Sequence, residues 1–85
     1  MITRYKALVR VHAERDRQDV KWGYPQNNTP FEWVSILMEE VGELAEAVND
    51  AMLGGDKNLK QAVKEAVHVS AVALAIVEHL SEEDS

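Results

Sequence analysis

Cysteine is absent from this 85-residue chain, which excludes disulfide stapling and any thiolate metal site. Long hydrophobic runs are absent too. The longest apolar stretch, Ala66 to Val77, is interrupted by His68 and Ser70 and is too short to cross a bilayer. No run with the make-up of a secretory leader opens the chain, because Arg4, Lys6 and Arg10 break the first apolar stretch. The expectation is a cytoplasmic protein with no membrane partner. There is no strand candidate, repeat, low-complexity tract or linker, so one small domain over residues 1–85 is expected.

Positive charge is in short supply. Nine Lys/Arg face 15 Asp/Glu, a net charge of −6. The shortage is uneven: the first 21 residues hold six Lys/Arg and three acids, and the remainder hold three and twelve. An acidic body excludes general binding to a nucleic acid polymer, which needs a basic face for the phosphates. A cationic arm beside an acidic centre suits a metal ion together with a phosphorylated small molecule, although charged helices also serve simply as solvated surface.

Glycine and proline are few, four and two, and all but Gly42 fall between helical segments or at the start of one. The first segment runs from about 2 to about 20. Its apolar stripe of Ile2, Tyr5, Val9 and Ala13 fades into Glu14-Arg15-Asp16-Arg17-Gln18-Asp19, polar on every side. Gly23, Pro25 and Pro30 bracket a loop containing Asn27 and Asn28. Thr29-Pro30-Phe31-Glu32 has the form of a capping box with proline at the first helical position. The second helix should span 30–53 and stop at Gly54-Gly55. A third, capped by Asp56, should span 57–80 before an acidic tail over 81–85. The fold class is therefore all-α.

The second helix has two faces that read as buried. Val34, Leu37, Met38, Val41, Leu44, Ala45, Val48 and Met52 form a broad apolar stripe, and Ile36, Glu40, Glu43 and Ala47 form a second line. On the third helix Glu65, His68, Val72, Ile76 and His79 share a line, and Ala66 to Val77 is apolar nearly all round. A three-helix protomer covers such a helix poorly. Pairing the second and third helices with those of another copy would give a four-helix-bundle core, so a homodimer is expected, and two dimers can associate further.

Glu40 and Glu43 are three apart, as are Glu65 and His68, so each pair points one way from its helix. Two antiparallel helices can then gather three carboxylates and an imidazole. Crowded carboxylates repel one another and raise each other's pKa, and a bound cation removes the conflict. Carboxylates are hard ligands suited to Mg2+ or Mn2+, and such a metal acidifies bound water and bridges phosphate oxygens. The alternatives are plain: Glu40 and Glu43 as surface acids, and His68 as a core histidine bonded to a neighbouring acid. Lys21, Arg15 and Arg17 are candidate contacts for a phosphorylated ligand, against a reading as a solvated helix end with internal pairs such as Arg15 to Asp19. Among Trp22, Tyr24, Phe31 and Trp33, Trp22 is the candidate to stack on a base; the alternative is a plug at the end of the bundle.

Glu39-Glu40-Val41-Gly42-Glu43, followed after 21 residues by Glu65-Ala66-Val67-His68, resembles the MazG-like all-α nucleotide pyrophosphohydrolases. Their signature is two acids, two variable residues and an acid, then a spacer and Glu-x-x-Asp. Glu14-Arg15-Asp16-Arg17-Gln18 leading to Lys21-Trp22-Gly23 is similar to the opening of small phage and bacterial members. The resemblance covers about residues 14 to 80. It implies Mg2+-dependent hydrolysis of a (deoxy)nucleoside triphosphate to monophosphate and pyrophosphate. It also implies Glu40, Glu43 and Glu65 as metal ligands and Glu39 as support or water-positioning group. The family aspartate falls on His68, whose imidazole favours transition metals, so weak, Mn2+-preferring or lost activity would follow. Other readings are a non-catalytic nucleotide-binding or interaction module, and a di-iron or di-manganese carboxylate bundle built on Glu-x-x-His. A purely structural three-helix domain would be indifferent to divalent cations.

Overall fold

The computed structural model describes residues 1–55 and 57–83. They form three helices and no strand: α1 (Arg4–Trp22), α2 (Pro30–Leu53) and α3 (Lys60–Leu80). Among the described residues no helix is long and apolar enough to cross a membrane.

Each start and stop has a local cause. The Thr3 hydroxyl accepts the Lys6 N–H at 3.2 Å to open α1. Gly23 closes it at φ +85° and ψ 163°, a conformation open almost only to glycine. At α2 the capping box forms in full. The Thr29 N–H donates to Glu32 Oε1 at 2.8 Å, and the Glu32 N–H donates to Thr29 Oγ1 at 3.2 Å. Beyond Leu53, Gly55 takes φ +83°.

The third helix starts later than its sequence implies. Lys57 lies at φ 56°, with its N–H turned back to the Ala51 carbonyl at 2.7 Å. That backbone cannot belong to a helix. The helix opens at Lys60, whose N–H donates to Asn58 Oδ1 at 3.0 Å, while the expected cap Asp56 lies outside the described residues.

Helix α3 packs between the other two, antiparallel to α2, while the backbones of α1 and α2 do not approach one another directly. Small side chains permit this: Ala51, Ala62, Ala71 and Ala75 are buried, and among the described residues the only larger apolar side chains buried with them are Trp33 and Val72. The packed face of α1 differs from the expected stripe. Ile2, Tyr5 and Val9 are exposed, whereas Ala7, Val11, Glu14, Arg15 and Gln18 are half-buried or buried. The polar end of α1 is thus its closest-fitting part, because Arg15 finds Asp19 at 2.8 Å and Glu78 on α3 at 2.7 Å.

On α2 the face toward α3 carries Trp33, Ile36, Leu37, Glu40, Leu44, Ala47 and Ala51. The acid-bearing line therefore turns inward. The broad apolar stripe is left largely open, with Val34, Met38, Val48 and Met52 exposed.

At the other end His79 ties the loop to α3. Its Nε2 accepts the Gln26 N–H at 3.1 Å, so the ring proton resides on Nδ1, which donates to the Ala75 carbonyl at 2.7 Å. The ring also packs against Tyr24 and Trp33, with centroids 5.2 and 4.9 Å away. Loop anchoring is the role of His79.

Candidate metal centre

The spacing on α3 sets Glu65 and His68 on one side, and the inward line of α2 brings Glu40 to meet them. One ligand atom from each of Glu40, Glu65 and His68 lies within 4.8 Å of the others. His68 Nδ1 is 3.3 Å from Glu65 Oε2 and 3.7 Å from Glu40 Oε2. Glu65 is buried at 8% exposure, and its Oε1 accepts from Gln61 Nε2 at 2.7 Å. Its Oε2, like Glu40 Oε2, is buried with no hydrogen-bond donor. Two such carboxylate oxygens in one small cluster are costly without a countercharge. The donor set, two carboxylates and an imidazole, fits a divalent cation.

Burial, first, and the neighbouring carboxylates of Glu43 and Glu65 push the Glu40 carboxyl above its usual range, against an opposing pull from His68. Glu43 stands beside the cluster but outside its tight group. It is exposed and lines an acidic groove with Glu46, Asp50, Gln61 and Glu65. Glu39, also exposed, lines the other flank.

Sequence reasoning passed over Glu14. It comes from α1, and its Oε2 is 3.8 Å from His68 Nε2, on the opposite side of the ring from Glu40 and Glu65. Arg17 grips both its oxygens, at 2.8 and 2.6 Å, and Gln18 donates to it at 3.3 Å. The Arg17 hydrogen bonds, opposed by burial and helped by His68, hold the Glu14 carboxyl below its usual range. Its only signal in the sequence is the spacing Ala7, Val11, Glu14, Gln18, which puts an acid on a small-residue helix face.

The proposed phosphate contacts divide. Arg17 lines a groove between α1 and α3 whose walls also carry Arg10, Lys60 and Lys64, with Glu14 and His68 beside them. Among the described residues, Arg10, Lys60 and Lys64 make no ion pair. Arg15 does not join them. It is 3% exposed, with its guanidinium engaged by Asp19 and Glu78, so it is a structural tie and leaves the phosphate set. Lys21 sits with Nζ 4.9 Å from the centre of the Trp22 ring. Trp22 is half exposed and lines a cavity of about 300 Å3 with Gln18, Gln26, Asn28, Trp33 and Glu40. One wall of this cavity is thus a ligand of the acidic cluster.

Compared with family models, curated proteins and solved structures, the chain matches none.

Proposed function

We propose that this chain is a MazG-like nucleotide pyrophosphohydrolase, hydrolysing a (deoxy)nucleoside triphosphate to monophosphate and pyrophosphate with Mg2+ or Mn2+. The observation that carries this reading is the pair of buried, donorless oxygens on Glu40 and Glu65 beside His68, flanked by a basic groove on one side and an aromatic cavity on the other. Glu40, Glu65 and His68 would hold the metal. A divalent cation there supplies charge neutralisation at phosphate oxygens and acidifies a bound water.

The chain's own residues do the rest. Arg10, Arg17, Lys60 and Lys64 offset the phosphate charge. The indole of Trp22 offers a stacking face for the base, and the amides of Gln26 and Asn28 offer donors and acceptors at the cavity rim. Glu39 or Glu43, exposed on either flank, would accept a proton from the attacking water. The same reading makes the protein a cytoplasmic homodimer, with further association of dimers open. The uncovered Val34, Met38, Val48 and Met52 support it, since exposed apolar patches of this kind mark interfaces.

Incubating the protein with a panel of triphosphates and Mg2+ or Mn2+, and assaying for pyrophosphate, tests the proposal. Pyrophosphate release that is abolished in Glu65→Gln supports it. Release of single phosphate, or no turnover of any nucleotide, refutes it. Nucleotide binding without turnover, seen by calorimetry, points to the silent module that the His68 substitution motivates. An absorption spectrum typical of a di-iron site points to the carboxylate bundle.

A further inference from the structure

The imidazole of His68 stands between two kinds of carboxylate. Its Nδ1 faces Glu40 and Glu65, whose Oε2 atoms are buried and lack donors. Its Nε2 faces Glu14, which Arg17 and Gln18 hold in place from the same turn of α1. We infer that the site is built for a divalent transition-metal ion of the Mn2+ class, ligated through His68 Nδ1, with Glu14 as the positioning residue whose charge, 3.8 Å away, keeps the imidazole proton on Nε2. This rests on the metal-holding part of the proposed function and is independent of hydrolysis.

A neutral imidazole carries one N–H and one lone pair, and the partner of the N–H decides which nitrogen is free to ligate. Metal-bound histidines nearly always give their other N–H to a carboxylate, a carbonyl or water. Glu14 sets a carboxylate 3.8 Å from Nε2, beyond direct hydrogen-bond distance but near enough for its charge to favour a proton on that nitrogen. With the proton on Nε2, the Nδ1 lone pair points at the two orphaned oxygens, a juxtaposition that only a cation makes favourable. Glu65 is more than nine-tenths buried, and one of its oxygens is aimed into the cluster without a donor. Imidazole nitrogen is a poor ligand for Mg2+ and a good one for later divalent metals. A site with two carboxylates and one nitrogen therefore ranks Mn2+ above Mg2+.

The test uses the full chain and metal alone. Calorimetric titration should give a Kd for Mn2+ at least about tenfold below that for Mg2+. In Glu14→Gln the Mn2+ affinity should fall by about 10–100-fold, with Mg2+ affinity changed much less. In His68→Asp the preference for Mn2+ should disappear. Nitrogen-15 spectra of histidine-labelled wild-type protein titrated with diamagnetic Zn2+ should move His68 Nδ1 and leave Nε2 in its protonated range. Equal affinities for Mn2+ and Mg2+ in the wild type overturn the inference, and so does a Zn2+ shift at Nε2. Because the nitrogen readout uses the wild type, it decides the matter even if Glu14→Gln does not fold. Hydrolysis can fail with Nδ1 ligation intact, and the reverse can also occur.

Discussion

Changing Glu40 to Gln keeps the size of the side chain and removes one negative charge from a group whose ligand atoms lie within 4.8 Å of one another. Two unit charges at that separation repel by roughly 3.5 kcal/mol at an effective dielectric of 20, and by roughly 0.9 kcal/mol in water. The Glu40 side chain is 20% exposed, and His68 Nδ1 is 3.7 Å away. Both weaken the repulsion, so the relief lies toward the lower figure, about 1 kcal/mol. The new amide can also donate to the orphaned Glu65 Oε2. In a domain of this size that gain raises Tm by about 4–8 °C. With EDTA present, Glu40→Gln should therefore melt above the wild type.

Adding Mn2+ should reverse the order. A ligand at a hundredfold excess over its Kd stabilises the folded state by about 2.7 kcal/mol, and only the wild type keeps the full ligand set. Differential scanning calorimetry of both proteins, with EDTA and with Mn2+, reads both halves of the prediction. The reasoning is refuted if the variant melts below the wild type in EDTA, or if Mn2+ raises both proteins equally.

Thr29→Ala removes the hydroxyl half of the α2 capping box and should lower stability by about 1 kcal/mol, seen as an earlier urea midpoint at unchanged slope. Trp33→Ala empties the largest buried apolar position and should cost about 3–5 kcal/mol, a large share of the stability of a small domain, visible by circular dichroism melting. Glu40 binds its proton more tightly folded than unfolded, so its contribution to metal-free stability is greatest at low pH and declines as pH rises from the unfolded value of 4.5 through the raised folded one. Glu14 has the opposite sense: its contribution is present above 4.5 and lost as pH falls through its lowered folded value. Urea titrations in EDTA should show both trends, and Mn2+ should selectively raise stability on the alkaline side, where Glu40 is ionised. Charge reversal of Lys60 and Lys64 together should raise KM for a triphosphate with little change in melting, because both are exposed and without ion pairs among the described residues.

The parts of the fold set by local chemistry could be read from the chain. Helix α2 occupies Pro30–Leu53, the expected span, because a capping box and a glycine stop act over a few residues. Glu40, Glu65 and His68 meet because helical period alone puts the acids of α2 on one line and the Glu-x-x-His of α3 on another. What depends on distant partners could not be read. The burial of Arg15 requires Glu78, 63 residues away, and polarity on every side of that segment looked like solvation. Glu14 contributes only once α1 lies against α3, and no spacing within α1 says where α3 will be. The late start of α3 follows from the positive φ of Lys57, a residue with no preference for that conformation.

Because α3 is the shared wall between helices whose backbones do not approach one another, the two halves of the candidate centre ride on different elements. Glu40 and Glu65 travel with the α2–α3 hairpin, whereas Glu14, Arg10 and Arg17 travel with α1. Peeling α1 away would leave the inner carboxylates together while dismantling the imidazole's outer anchor and half of the cationic trough. Opening of α1 would thus weaken ion capture and phosphate capture together, and amide exchange in α1 would report on both.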